Sequence, residues 1–326
     1  MTTASDTPPS GSVVALAGGV GGAKLADGLS RELGKRLTVV VNTGDDFEHL
    51  GFYIAPDLDT VMYTLAGVAN PELGWGLAGE TWNFMQQVSR LGGPDWFKLG
   101  DQDLAVHALR TERLRRGNSL SAVTADLSAQ LGVGTNIVPM SDRPVRTIIH
   151  SDDGALPFQE YFVRLRSAPK VQRIAFDGAQ HAVPADDVIA ALRAPSLRAI
   201  ILCPSNPYLS IDPILSVPQI PELLTAAGVP IIAVSPIIAG AAIKGPAAKI
   251  MAELGATVSA FGVAQHYHGL IHGLVIDESD AALEASINDL GMRALVAPTI
   301  MKTSVDRQGL ARCVLAFAEQ LRKDLT

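Results

Sequence analysis

Two cysteines, Cys203 and Cys313, are all that the 326 residues carry, and they stand far apart in the chain. Neither a disulfide framework nor a zinc site built on paired thiolates is available, which suits a reducing, cytoplasmic compartment. Basic residues are outnumbered, 26 against 33 acidic, for a net charge of -7. That balance is the opposite of the positive footprint that nucleic-acid binding requires, so no nucleic-acid partner is expected. The longest apolar stretch, Val229 to Ile243, is interrupted by Pro230, Ser235, Pro236 and Gly240. It falls short of the roughly 20 residues of a membrane helix and reads as a buried strand plus loop, so no membrane partner is expected. No Lys or Arg precedes the apolar run that starts at Val13, so the charged region of a signal peptide is missing. Residues 1–11, rich in Thr, Ser and Pro, read as a disordered tail.

What is present is apolar bulk: 48% of the side chains are hydrophobic, enough to bury a large core. Residues 12–326 read as one domain. Val13 to Ala17 is a continuous apolar run ending at Gly18, followed by Leu25, Ala26, Leu29 and Leu33 at helical spacing and then by the run Leu37 to Val41. Strand, loop, helix and strand in that order predict a right-handed βαβ unit. Leu197 to Cys203 and Pro230 to Val234 repeat the pattern. The expectation is an α/β fold, a Rossmann-like doubly wound, mainly parallel sheet that binds ligands beyond the carboxyl ends of its strands. A helical insertion is expected over about residues 70–135, with helices around Thr81 to Leu91, Leu104 to Arg115 and Leu120 to Leu131. Val145 to His150 and Phe158 to Arg166 read as an antiparallel pair joined through Asp152-Asp153-Gly154.

The first strand runs into Gly18-Gly19-Val20-Gly21-Gly22-Ala23-Lys24. A glycine turn opening a helix exposes backbone N–H groups to the positive end of the helix dipole, where a phosphate is favoured. Ala23 and Leu25 around Lys24 exclude a Walker A loop, and Lys24 stands where a dinucleotide fingerprint needs its third glycine. Lys24 in the first turn would oppose the dipole, a cost offset by an anion in front of it. A tight βα turn with a solvated lysine is the structural alternative.

The second strand ends in Asn42-Thr43-Gly44-Asp45-Asp46, and Pro56-Asp57-Leu58-Asp59-Thr60 follows. Four carboxylates near one sheet edge suit Mg²⁺, which binds one or two carboxylates and completes its shell with substrate phosphates. Asp57 or Asp59 as a helix N-cap, and Asp45 as a turn residue, are the local alternatives. Beside a glycine phosphate turn, the metal-diphosphate reading prevails, because charge near a transferring phosphoryl group must be neutralised.

Cys203-Pro204-Ser205-Asn206-Pro207, after a core strand, offers hydroxyl and amide groups suited to a base or sugar, or else a simple turn. His266, His268 and His272 have metal-like spacing but no further ligand, and read as core or surface histidines. Lys98, Asp101, Gln102, Asp103 and His107 lie near the start of an insertion helix, with Asp101 as its possible cap. Arg110, Arg113, Arg115 and Arg116 read as a solvated face.

Taken in order, these segments resemble the 2-phospho-L-lactate transferase family (CofD/FbiA) of coenzyme F-420 biosynthesis, over nearly the whole chain. The resemblance is carried by AGGVGGAKL (Ala17 to Leu25), VNTGDD (Val41 to Asp46), PDLDTVMYTLAG (Pro56 to Gly67) and GWGLAGETW (Gly74 to Trp82). It continues in PDWFKLGDQDLAVH (Pro94 to His107), MSD (Met140 to Asp142), FQEYFVR (Phe158 to Arg164), PSNPYLSIDPIL (Pro204 to Leu215) and SPIIAG (Ser235 to Gly240).

The resemblance implies a Rossmann-like homodimer that uses Mg²⁺. It would move a phosphorylated three-carbon acid from a guanosine diphosphate-linked donor to the ribityl hydroxyl of the deazaflavin Fo, releasing GMP. By the same resemblance, Gly18, Gly19, Val20, Gly21, Gly22 and Lys24 face the donor diphosphate, and Pro204, Ser205 and Asn206 hold its guanosine. Asn42, Thr43, Asp59, Thr60, Lys98 and Gln102 lie on the Fo side, Asp45, Asp46 and Asp59 are the metal ligands, and Asp46, Asp59 and Lys24 carry catalysis. Some branches of the family read Ala-Glu-Asp at Gly44-Asp45-Asp46. The Gly-Asp-x-Asp stretch usually has arginine at the position of Gln102, so a charge-assisted contact to Fo or the donor is absent here or supplied elsewhere, Lys98 being a candidate.

Two competing readings are an NAD-dependent oxidoreductase and a noncatalytic nucleotide-binding protein. Lys24 at the third glycine position and Asn42 at the end of the second strand, where an acidic ribose ligand is expected, count against the first. Mg²⁺-dependent GMP release separates the second.

Overall fold

A computed structural model describes residues 11–243 and 245–325. The expected tail at residues 1–11 therefore lies outside the described residues except for Gly11. Strand β1 (Ser12–Ala17) leads into α1 (Gly19–Leu33) and returns in β2 (Leu37–Val41). A hairpin follows, β3 (Phe47–His49) with β4 (Phe52–Ile54), and then α2 (Pro56–Ala66), which starts on a proline and ends at a left-handed Gly67. Helices α3 (Asn83–Arg90), α4 (Asp103–Arg115) and α5 (Leu120–Gln130) precede β5 (Asn136–Pro139). An antiparallel sheet comes next, with β6 (Arg146–Ser151) between β7 (Gly154–Pro157) and β8 (Val171–Asp177). After α6 (Asp186–Leu192) comes β9 (Leu197–Leu202), and after α7 (Asp212–Leu215) and α8 (Ile220–Ala226) comes β10 (Ile231–Val234). The small hairpin β11 (Ile237–Ile238) and β12 (Ala241–Ala242) is followed by α9 (Ala247–Glu253) and α10 (Ala260–His266). The chain finishes with β13 (Gly273–Ile276), α11 (Glu284–Asn288), β14 (Arg293–Val296) and α12 (Ser304–Leu325).

Seven strands form one sheet in the order β14-β13-β10-β9-β1-β2-β5, every neighbouring pair parallel. With helices on both faces this is a Rossmann-like α/β fold. Alternate residues of the strands face opposite cores, as the period of two requires. Val13, Ala15, Ala17, Val39, Val41 and Ile201 pack with Leu25, Leu29, Leu58 and Met62 on one side, where α12 also lies. Val14, Leu16, Val40, Ile200 and Leu202 face the other side with Ile211, Ile214 and Leu224. Burial on both faces explains why these strands read as unbroken apolar runs.

The topology fixes where a ligand can go. Successive connections run outward in opposite directions from β1 and β9, so the segments following these adjacent strands diverge and leave a crevice at their carboxyl ends. The segment after β1 is the glycine turn, and the segment after β9 is Cys203 to Asn206.

One local expectation is corrected and one local alternative falls away. Phe158 to Arg166 is not a strand: β6 pairs with β7 and β8, while Glu160–Arg164 forms a π-helical turn. Its aromatic residues fall at helical spacing, Phe158 stacking on Phe162 at 5.3 Å and burying with Tyr161. Neither Asp57 nor Asp59 caps α2: the cap is Ala55, and both aspartates lie inside the first turn.

Candidate active site

The glycine turn is shaped by what touches it. Gly19 has φ +61°, a conformation that favours glycine. At Gly21 a Cβ would lie 2.3 Å from the carbonyl oxygen of Pro204, and at Gly22 2.4 Å from Oγ of Ser205. The Ser205 hydroxyl donates to the Gly18 carbonyl at 2.8 Å and stands 3.1 Å from the Gly18 N–H, which donates to it. The structure thus brings the glycine turn and the Pro204–Asn206 loop into direct contact. Asn206 shapes its own loop, its Oδ1 accepting from the N–H groups of Tyr208 and Leu209. Gly18, the N-cap of α1, has no side chain to cap with, and Asp57 supplies the missing acceptor, its Oδ1 taking the Gly19 N–H at 2.8 Å. The following first-turn N–H groups have no acceptor within the helix.

Around this turn lie the aspartates. Asn42 is the hub: its Nδ2 donates to Oδ2 of Asp57 at 2.9 Å and to the Leu209 carbonyl at 3.2 Å, and its Oδ1 accepts the Gly44 N–H. Burial pushes Asp57 up to about 6, against the hydrogen bonds from Asn42 and Gly19. Asp45 is raised well above the usual range, first by burial and then by the charge of Asp57. Asp46 is pushed up to about 7 by burial, with Arg146, the Tyr53 hydroxyl and Arg110 pulling the other way. The Tyr53 hydroxyl donates to Oδ2 of Asp46 at 2.7 Å, and Arg146, 5.6 Å over the Tyr53 ring, donates to that hydroxyl at 3.4 Å and to the Thr43 carbonyl. Oδ1 of Asp45, Oδ1 of Asp46 and Oγ1 of Thr43 are buried without a hydrogen-bond partner among the described residues. Unpaired buried carboxylate oxygens are costly in a finished protein and suit a cation.

A second network joins α2 to α4. Asp59 is gripped by Arg110, Nη1 to Oδ2 at 3.0 Å and Nη2 to Oδ1. His107 lies between two carboxylates, Nδ1 3.6 Å from Oδ2 of Asp59 and Nε2 3.3 Å from Oδ2 of Asp103. Tyr63 donates its hydroxyl to Asp103. Burial raises the Asp59 carboxyl against the pull of Arg110 and His107. Asp103 is held below the usual range, the bond and charge of His107 with Tyr63 and Arg110 outweighing its burial. Arg110 is only 1% exposed, so its reading as part of a solvated face is overturned. The spacing Asp103, His107, Arg110 places all three on one face of α4, and Asp59 and Tyr63 share a face of α2. That pattern was the available signal for these residues, and for Tyr53 and Arg146 there was none.

The remaining expected residues are placed as follows. Lys24 is the sixth residue of α1, beyond the first turn, and its Nζ donates to the Met301 carbonyl at 2.9 Å. Val20 is half-buried at the turn, and Thr60 is buried beside Asp59 in α2. Lys98 is exposed. Gln102 donates to the Gly79 carbonyl at 2.8 Å, while the Glu80 carboxylate accepts the N–H groups of Gln102 and Asp103, also at 2.8 Å, and so caps α4. Asp101 caps the other helix, α3, accepting from the N–H groups of Asn83 and Phe84. His266 pairs with Asp212 at 2.8 Å and His272 accepts the Ile231 N–H at 3.0 Å, both structural roles. Among the described residues no helix is long and apolar enough to cross a membrane.

Comparison with known proteins adds independent findings. The family model described as 2-phospho-L-lactate transferase CofD matches residues 13–299. A phosphoenolpyruvate transferase of Streptomyces griseus is 42% identical, with 95% of this chain and 99% of that one covered. A 2-phospho-L-lactate transferase of Methanosarcina acetivorans is 38% identical over 94% of this chain and 98% of its own. A crystal structure of a UPF0052 family protein from Bacillus halodurans shares the fold, with TM-score 0.61 at 14% identity over 94% of this chain and 99% of that chain.

Proposed function

The chain belongs to the 2-phospho-L-lactate transferase CofD family, and from that premise we propose a specific reaction for it in coenzyme F-420 biosynthesis. A phosphorylated three-carbon acid (phospholactyl, phosphoenolpyruvyl or 3-phosphoglyceryl) passes from a guanosine diphosphate-linked donor to the ribityl hydroxyl of Fo. The observation that carries this reading is the contact of the Gly18–Gly22 turn with Pro204 and Ser205, beside buried Asp45, Asp46, Asp57 and Asp59. An anion-binding helix start next to an acidic cluster is the arrangement that a metal-assisted diphosphate cleavage needs.

The unpartnered oxygens of Asp45 and Asp46 fit a hard divalent cation. Those two side chains would hold Mg²⁺, which when bound supplies charge neutralisation at the diphosphate. Asp59 would reach the cation or the acceptor hydroxyl from α2, with its carboxylate fixed by Arg110.

The first-turn N–H groups of α1 bind the diphosphate, and Pro204, Ser205 and Asn206 wall the nucleoside. Lys24 adds positive charge from the second turn of α1, and Asn42, Thr43 and Thr60 border the acceptor side, with Lys98 and Gln102 at its rim. The terminal ribityl oxygen attacks the phosphorus that bears the acid in line with the bridging oxygen. The new O–P bond forms, the old P–O bond breaks, and GMP leaves with the electron pair. The hydroxyl proton goes to Asp46 or Asp59. Whichever of the two does not hold the cation is the one left to take that proton, because a bound divalent cation holds its own ligand ionised and weakly basic. Positioning and electrostatics account for the rate, because little covalent work falls to the protein. The proposal extends to a cytoplasmic homodimer, which light scattering on the purified protein checks.

The deciding experiment is mass spectrometry of purified protein incubated with Fo, Mg²⁺ and each of the three guanylylated acids. Conversion of Fo to one phosphodiester with matching GMP release is expected. Absence of product from all three sinks the reading.

A further inference from the structure

We infer that Arg110 is a positioning residue for the transfer, fixing the plane and place of the Asp59 carboxylate from inside the protein; this rests on the phosphoryl-transfer reading above. Arg110 stands first among the largest fully buried side chains. Moving a guanidinium out of water is expensive, and apolar side chains of like volume in place of a buried ion pair often serve stability as well or better. A fold therefore has little thermodynamic reason to keep a buried arginine that contacts only one carboxylate, unless that carboxylate has to be held.

The contact has the form that such a task requires. Both terminal nitrogens engage Asp59, one on each oxygen. A bidentate fork sets the rotation of the carboxylate as well as its position, whereas a lysine sets only a distance. Behind the fork, His107 stands between the carboxylates of Asp59 and Asp103, and the Tyr63 hydroxyl on Asp103 returns the network to α2. The Glu80 carboxylate fixes the start of α4 through the N–H groups of Gln102 and Asp103. Arg110 lies behind Asp59 and acts through it.

Steady-state kinetics of GMP release by Arg110→Lys, with donor and Fo varied separately, tests the inference. A displacement on the ångström scale costs on the order of 100-fold, so kcat is expected to fall by roughly 10- to 100-fold while both KM values stay within about threefold. In an Asp59→Asn background, followed over long incubations, Arg110→Lys should add no further loss, because the residue acts through Asp59. His107→Gln leaves the fork in place and, if Arg110→Lys does not give a cooperative melt, supplies the second reading, with a kcat loss of roughly 3- to 10-fold at unchanged KM. A kcat within twofold of wild type, a loss confined to KM, or multiplicative losses in the double variant would overturn the inference while the transferase reading stands. A wild type that makes no product overturns both.

Discussion

The N–H of Gly19 donates to Oδ1 of Asp57 across 2.8 Å, while the other oxygen of that carboxylate is held by Asn42. A carboxylate therefore already occupies part of the helix start to which a diphosphate would be drawn.

This neighbourhood predicts a proton linkage. Burial pushes Asp57 up to about 6, and a diphosphate placed beside it favours its neutral form further. Binding of GDP without metal should take up a proton, so its affinity should rise as pH falls from about 8 to 6. Calorimetry in two buffers of different ionisation enthalpy measures the uptake. Asp57→Asn should reduce it, the raised carboxyls of Asp45 and Asp46 accounting for the remainder, and GDP binding that tightens with rising pH contradicts the placement.

Asp46 makes a second pH prediction, this time for stability. Its folded pKa of about 7 exceeds the ordinary 3.8, so between those values the folded state keeps a proton that the unfolded chain has released. The contribution is favourable below about pH 4, declines as pH rises and levels off above pH 7. Asp46→Asn should remove this slope and raise metal-free stability at pH 8 by about 2–4 kcal/mol, while transfer is lost. Urea denaturation at pH 5 and pH 8 reads the difference.

Gly21→Ala would set a methyl group 2.3 Å from the Pro204 carbonyl oxygen, forcing the two loops apart. The expected cost is about 1–3 kcal/mol of stability and roughly a tenfold rise in donor KM, with the KM for Fo unchanged. An equal rise in both constants would detach the Pro204–Asn206 loop from the donor.

Asp59 has to be tested by Asn rather than Ala. Asp59→Ala leaves Arg110 buried and unpaired, at a cost of about 3–5 kcal/mol, so its inactivity would say little. Asp59→Asn keeps an acceptor oxygen for the guanidinium though not its countercharge, so a cooperative melt is checked first; kcat should then fall by about 100-fold or more, to a residual rate. Undiminished GMP release from that variant removes Asp59 from the mechanism.

Much of the architecture was legible from periodicity. The run Leu37–Val41 is a strand over those same residues, and the three insertion helices start within two residues of their expected positions. The misread segment, Phe158 to Arg166, mixes β-rich composition with aromatics at helical spacing, and packing around Phe158 and Tyr161 decided between the two. The sequence set the glycine turn, the Cys203–Asn206 segment and Asp45 and Asp46 after strand ends, and the structure brings the first two into contact. The partners of these residues could not be named from the sequence.

By itself the sequence determined the elements, the strand ends and the residue types gathered there, because apolar periodicity and turn chemistry act between near neighbours. Only the tertiary structure decided which charges are buried and with whom. Arg110 looks like its arginine neighbours on α4, yet it closes on an aspartate 51 positions earlier in the chain. Whether a charge is solvated or paired depends on the helix face it meets after folding, and the cost of burying it unpaired allows that meeting only with a carboxylate.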